Sequence, residues 1–260
     1  MKEEDKKLIK DPSLVMSKKA LWAWKTGGFT SGIIEGPRGI GKSSYAMKIM
    51  YDVFSCMGYH EEVAWDMALE RMLYRINDII EFLDRSTRKR NPECVFCWDD
   101  AAVFGSSMVW YTNVKLVHLL QSTLDTIRGS VSAMLLTCPN QSQLLKFLRT
   151  YDGYIIRINY AEDGGTYRDA KGYIWRSLPS GMKRIYPSFN DFYSCRLPNA
   201  IFKRYQRKRK SYNVENINAL KEAMGKNLEQ SSPVIVGEDE SFKDDLIEFN
   251  EEKAGGDINE

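Results

Sequence analysis

Apolar positions recur along the chain at two spacings, one helical and one continuous. Leu14, Val15, Leu21, Trp22 and Trp24 predict a short amphipathic helix over 13–25, which Thr26-Gly27-Gly28 breaks. Phe29 to Glu35 is a short β-like run ending at Gly36, and residues 42–57 predict a helix stopped by Gly58. Ala64, Met67, Leu69, Met72, Leu73, Ile76, Ile80 and Leu83 carry helical spacing over 62–84. A charged loop, Arg85 to Pro92, leads into Cys94–Trp98, where five consecutive apolar residues leave no face for water and predict a buried strand.

Trp110, Val114, Val117, Leu120, Leu124 and Ile127 mark another helix, stopped at Gly129. Val131–Thr137 reads as a second buried strand, closed by Pro139, and 141–149 as a short helix. Tyr154–Tyr160 is a strand, Asp163-Gly164-Gly165 a turn into Tyr173-Ile174-Trp175, and Lys183–Tyr186 one more strand. A basic helix follows Pro198, and from about residue 226 the chain is polar, acidic and expected to be disordered. Helices alternating with buried strands predict an α/β fold, a parallel sheet covered by helices on both faces, with ligands at the carboxyl ends of the strands. Residues 59–92 offer no convincing strand, so any element there is shortened or absent.

Composition adds little to this picture: 43% hydrophobic and 28% charged residues describe an ordinary soluble globular chain. No apolar run is long enough to span a bilayer, and the charged Met1–Lys7 start is not a signal peptide. Five scattered cysteines, Cys56, Cys94, Cys97, Cys138 and Cys195, argue for a reducing compartment, hence the cytoplasm. Cys94 and Cys97 have CxxC spacing but sit in an apolar run with no second pair, which favours a buried strand over a zinc site. The net charge of +2 hides an asymmetry: six of the eight residues 203–210 are Lys or Arg, whereas 238–260 is mostly acidic.

The chemistry concentrates in two motifs. Gly36-Pro37-Arg38-Gly39-Ile40-Gly41-Lys42-Ser43 matches GxxxxGK[ST] without a mismatch, between a β-like run and a helix. In that context glycines let backbone N–H groups approach phosphates, and the helix start adds its dipole. Lys42 is expected on the β- and γ-phosphates, Ser43 on Mg²⁺, and Ser44 continues the loop. The second motif, Val95-Phe96-Cys97-Trp98-Asp99-Asp100, ends an apolar strand in two carboxylates, costly unless they meet a cation or water. Asp99 is expected to hold Mg²⁺ through water; Asp100 is a candidate base for the attacking water, or else a helix cap or solvated loop acid. Nucleotide kinases with this loop typically lack the second acid, so Asp100 favours hydrolysis. The guanine-reading Asn-Lys-x-Asp pattern is missing, which favours ATP over GTP.

Five further candidates follow from position. Thr137 and Asn140 close the strand beside Asp99 and are candidates for the γ-phosphate or its water, with Asn140 equally readable as a helix N-cap. Arg149 ends the next helix, either as a charge on a neighbouring subunit's ATP in a homo-oligomer or as a favourable cation at a helix C-terminus. Trp22 and Trp24 are candidates to flank adenine, with core packing the plainer reading.

Several of these residues lie in a wider pattern. Gly28-Phe29 leads into Ile33-Ile34; the loop continues as Ser43-Ser44-Tyr45-Ala46; Ala64-Trp65-Asp66-Met67-Ala68-Leu69 follows; then Asp99-Asp100-Ala101 and Trp110-Tyr111; then Leu197-Pro198, Lys203, Tyr205, Arg207, Arg209-Lys210 and Tyr212. Over most of residues 20–212 the chain thereby resembles the DnaA-like ATPases of fuselloviruses, the spindle-shaped viruses of thermoacidophilic archaea, and their plasmid relatives. The resemblance implies an AAA+-type (ASCE-like) P-loop NTPase in the host cytoplasm, acting in viral or plasmid DNA replication. No clear helix-turn-helix of the kind true DnaA proteins carry is present.

The expected organisation is a flexible segment 1–19, a P-loop ATPase domain 20–190 with a β-hairpin extension, a basic helical extension 191–225 and an acidic tail 226–260. Lys203, Arg204, Arg207, Lys208, Arg209 and Lys210, with Tyr205 and Tyr212 among them, suit phosphate neutralisation and base stacking on DNA, or equally a solvated surface helix. An initiator or helicase loader, a DNA packaging or transfer motor, and a nucleotide-gated regulator with little turnover are the function classes this leaves.

Overall fold

The computed structural model describes residues 8–89, 92–104, 114–150, 153–162, 165–177 and 183–230. Trp110, Tyr111, the 163–164 turn and the acidic tail beyond residue 230 lie outside the described residues. Two compact units divide the chain, one ending at Lys208 and one beginning at Arg209.

The elements alternate as the apolar pattern requires. Helix α1 (Val15–Thr26) precedes strand β1 (Thr30–Glu35), and helix α2 (Lys42–Cys56) follows the glycine-rich loop. Then come α3 (Glu61–Glu70), β2 (Met72–Leu73), α4 (Ile76–Thr87), β3 (Phe96–Trp98) and α5 (Ala101–Phe104). The chain continues through α6 (Val114–Asp125), β4 (Ala133–Cys138), α7 (Lys146–Thr150), β5 (Tyr154–Tyr160), β6 (Tyr167–Ser177), β7 (Lys183–Ser194) and α8 (Asn199–Gln230).

Among the described residues seven strands form one sheet in the order β2-β3-β4-β1-β5-β6-β7. Pairing is parallel from β2 to β5, and β6 and β7 add an antiparallel hairpin, so the fold is the expected α/β arrangement, a parallel sheet flanked by helices with a hairpin extension. Strands β1, β3 and β4 are buried at every position, which explains the apolar runs of β3 and β4; β1 reaches the same burial with Thr30, Ser31 and Glu35 among its six residues. Phe82, Phe96, Trp98, Leu124, Leu136 and Leu148 belong to one core cluster that includes residues of β1, β3 and β4.

Three local outcomes differ from the sequence pattern. The helical spacing over 62–84 is interrupted by the two-residue strand β2, the shortened element foreseen there. The interruption has a cause: Lys208 Nζ donates to the carbonyls of Leu69 and Met72 at 3.2 and 2.7 Å, and Cys97 N donates to Arg71 O at 2.9 Å, so these acceptors leave the helical ladder. Residues 15–19 are helical, as the apolar spacing over 13–25 predicts, and not part of a flexible segment 1–19. Asp52 accepts from Ser13 N and Leu14 N just before α1, and Asp191 accepts from Val15 N, its first amide, so two distant carboxylates hold the start of the helix. Strand β7 runs to Ser194 rather than stopping near Tyr186; its Pro187 sits at the bulge where the pairing to β6 shifts, on the edge strand, where a missing N–H is tolerated.

Candidate functional site

The carboxyl ends of β1, β3 and β4 converge on one place. The loop 36–41 leaves β1 there and turns into α2 at Lys42. Gly36, Gly39 and Gly41 have φ of 151°, 78° and 108°, values that L side chains rarely adopt. At Gly41 space adds a second constraint: a Cβ would lie 3.1 Å from the Cβ of Cys195. Pro37, Arg38 and Gly39 are exposed on the outside of the loop, whereas Ile40 is buried beneath it. Lys42 is buried, and its Nζ donates to the carbonyls of Gly36 and Pro37, both at 2.8 Å, which centres the ammonium charge inside the loop.

Asp99 follows the last residue of β3 and is only 1% exposed. A carboxylate at that depth needs donors, and three hydroxyls supply them. Ser43 Oγ and Thr137 Oγ1 donate to Oδ1 at 2.8 and 2.6 Å, and Tyr205 Oη donates to Oδ2 at 3.0 Å. Burial, and then the charge of Asp100, push the Asp99 carboxyl above its ordinary value; the three hydroxyls act against that shift. Asp100 is half-buried and has φ 50°, the one left-handed non-glycine residue among those described. An aspartate tolerates that region better than most residues, and its N–H is fixed by donating to Thr137 Oγ1 at 2.8 Å. The structure therefore brings Lys42, Ser43, Asp99, Asp100 and Thr137 together.

Other candidates take different places. The single hydroxyl hydrogen of Thr137 goes to Asp99, so Thr137 ties the two acids together instead of reaching toward a phosphate. Asn140 is exposed and its Oδ1 accepts from Ser142 N at 2.9 Å: it caps the 3₁₀ turn Gln141–Gln143, the plainer of its two readings. Arg149 lies on α7 with its Nε buried and unbonded; among the described residues no hydrogen bond links its side chain to the loop or the acids. Trp24 is core, and Trp22 lines a groove with Phe29, Thr30 and Tyr154 at the starts of β1 and β5, the opposite end of the sheet from the loop. Neither tryptophan flanks the phosphate loop.

The basic helix α8 is two-sided. Ile201, Tyr205 and Lys208, spaced i, i+4, i+7, face inward, and Lys203 and Arg207 are exposed on the opposite side. Lys208, a candidate DNA contact by sequence, is half-buried and engaged within the fold. Burial lowers its ammonium pKa, and its hydrogen bonds end on the carbonyls of Leu69, Glu70 and Met72. Arg204 pairs with Asp66 on α3.

Sequence reasoning missed the residues that brace the loop from the far end of the chain. Arg168 Nε donates to Ile40 O at 2.9 Å, and Tyr193 Oη donates to Gly41 O at 3.1 Å. Nothing in the local pattern marks Arg168. The signal for Tyr205 was present: Ile201 and Lys208 share its helical face, which identifies it as an inward position.

Ser43 and Asp99 offer a hydroxyl and a carboxylate 2.8 Å apart, hard oxygen donors that fit Mg²⁺. Among the described residues no group of three or more His, Cys, Asp or Glu could hold a metal, so an ion here would need oxygens from another source, as phosphate provides. No helix among the described residues is long and apolar enough to cross a membrane.

No family model matches the chain. It is 24% identical over 238 residues to an uncharacterized protein, B-251, of Sulfolobus spindle-shape virus 1, covering 85% of this chain and 93% of that one. Solved structures similar to it include the flagellar accessory protein FlaH of Methanocaldococcus jannaschii, at TM-score 0.34 and 14% identity over 70% of this chain and 99% of that chain. A KaiC-like protein of Pyrococcus horikoshii OT3 also matches at TM-score 0.34 and 14% identity, over 62% of this chain and 93% of that one.

Proposed function

We propose that the chain is an ATP-hydrolysing protein of the AAA+-like class that acts on DNA in viral or plasmid replication, as an initiator or helicase loader. One observation carries the reading: the carboxylate closing β3 meets the first hydroxyl of the phosphate loop at 2.8 Å, with a second acid held next to it. A chance glycine-rich turn has no reason to meet a buried carboxylate 56 residues away.

In this reading the amides of 36–44 and the α2 dipole bind the triphosphate, and Lys42 leaves its two carbonyl partners for the β- and γ-phosphates. Mg²⁺ held by Ser43 and Asp99 would supply positive charge against those phosphates. Asp100, more open than Asp99 and kept in place by Thr137, takes a proton from the attacking water. The exposed cations of α8, Lys203, Arg204, Arg207, Arg209 and Lys210, suit DNA phosphates without reading base identity. Similarity to a spindle-shaped virus protein supports the viral setting.

The test is phosphate release by the full chain with ATP and Mg²⁺, alone and with single- or double-stranded DNA. Multi-turnover hydrolysis that DNA accelerates is expected; a folded protein that releases no phosphate under either condition would refute the proposal.

A further inference from the structure

The acid that bonds Ser43 of the phosphate loop also bonds the helix that carries the basic face. Tyr205 is buried on the inner side of α8, and its hydroxyl donates to Asp99 Oδ2 from 106 residues further along the chain. A charged carboxylate offers about four acceptor positions. Hydroxyls from α2, β4 and α8 take three of them, two on Oδ1 and one on Oδ2. Among the described residues that leaves about one acceptor position, on Oδ2 beside Tyr205. Tyr205 thus sets which way the last lone pair of Asp99 points.

The same segment of helix has its outward cations within one turn of Tyr205. Lys203 and Arg207 are exposed, Arg204 is held by Asp66, and Lys208 is held by the end of α3 and by β2. Tyr205 is consequently flanked on both sides by contacts to α3 and β2, and the same turn of helix carries the exposed cations and the hydroxyl on Asp99.

We infer that Tyr205 is a positioning residue for the metal end of the nucleotide site, and that through it nucleic acid on α8 and Mg²⁺-nucleotide at the loop influence each other's binding. This rests on the phosphate-loop reading. Coupling of two ligands through one shared contact is reciprocal: whatever factor DNA imposes on Mg²⁺-nucleotide affinity, Mg²⁺-nucleotide imposes on DNA affinity.

The experiment compares the full chain with Tyr205→Phe, which keeps the ring and removes the hydroxyl. A fluorescent, non-hydrolysable ATP analogue is titrated without Mg²⁺, then Mg²⁺ is titrated at fixed analogue, with and without a DNA duplex. Removing a partner that orients a metal-holding carboxylate costs roughly 10- to 100-fold in metal affinity. The Mg²⁺ midpoint of the variant is expected to rise by that factor, with metal-free analogue affinity changed less than about twofold. Equal midpoints would overturn the positioning role. A duplex that moves the wild-type midpoint and leaves the variant's unmoved supports the coupling; the same effect on both, or none on either, overturns it. Wild-type protein that binds no analogue at all would instead sink the phosphate-loop reading, and a loss of the variant's thermal transition in metal-free buffer would show that Tyr205 serves only the fold.

Discussion

Thr137→Val isolates the junction between the two acids. Valine keeps the shape of threonine, and the residue is fully buried, so no cavity opens and no surface changes. The hydroxyl alone is lost, and with it two bonds: its donation to Asp99 Oδ1 at 2.6 Å and its acceptance from Asp100 N at 2.8 Å. A hydrogen bond to a charged group contributes about 1.5–3 kcal/mol, and a stranded buried donor costs about 1–3 kcal/mol. The sum is an upper bound, because half-buried Asp100 offers its amide some access to water and Asp99 keeps Ser43 and Tyr205. A loss of about 2–4 kcal/mol follows, within the roughly 5–15 kcal/mol that holds a domain of this kind together. Urea unfolding in metal-free buffer, followed by fluorescence and with the slope m unchanged, measures it. Thr137→Ser restores the hydroxyl and drops one methyl, so it should recover all but about 1 kcal/mol. A loss below about 0.5 kcal/mol in Thr137→Val, or a serine variant no better than valine, would refute the argument that this hydroxyl organises the acids.

Asp100→Asn should leave ATP bound while slowing hydrolysis by about 10²- to 10⁴-fold, as loss of a general base does; a collapse of ATP affinity in a direct binding assay would show that the two acids exchange roles. Replacing Lys203, Arg207 and Lys210 by serine, with Lys208 untouched, removes up to three phosphate contacts and should flatten the log–log salt dependence of DNA binding by up to about 2.7 units. An unaltered slope in a filter-binding or anisotropy titration would make that face a solvated surface. Lys208→Met should destabilise the fold by about 1–3 kcal/mol by stranding carbonyl groups at the end of α3. The pH dependence has a definite sign. Because burial lowers the Lys208 pKa from 10.5, the unfolded chain binds more protons than the folded one just below that value. The wild type should therefore gain stability relative to the variant as pH rises through that window, which paired urea titrations will show or fail to show.

The loop 36–43 was legible as a candidate phosphate site because its chemistry is local: eight consecutive residues state the glycines, the lysine and the hydroxyl together. Asp99 and Asp100 were legible because two carboxylates closing an apolar run need an explanation in terms of a cation or water. The parallel sheet followed from strands apolar on both faces. What the sequence concealed depends on distance along the chain. Six cations in eight residues look alike in one dimension, yet Lys208 turns inward while Lys203 and Arg207 turn out, and only the helical phase set by Ile201 and Tyr205 separates them. Asp52 and Asp191 satisfy the start of α1 from two other elements, a tertiary effect that no local propensity contains. Asn140 went to the local role because its side chain reaches an amide two residues on, at no cost in chain entropy.

The central claim is that the loop 36–44 binds a nucleotide triphosphate through Lys42. Calorimetric titration of ATP with Mg²⁺ into the wild type and into Lys42→Ala tests it directly, with folding of both verified by their thermal transitions. The charge–phosphate bonds lost are worth about 1.5–3 kcal/mol, so the variant should bind ATP roughly 10- to 150-fold more weakly than the wild type. Equal affinity in the two folded proteins, or no binding to the wild type, would contradict the account.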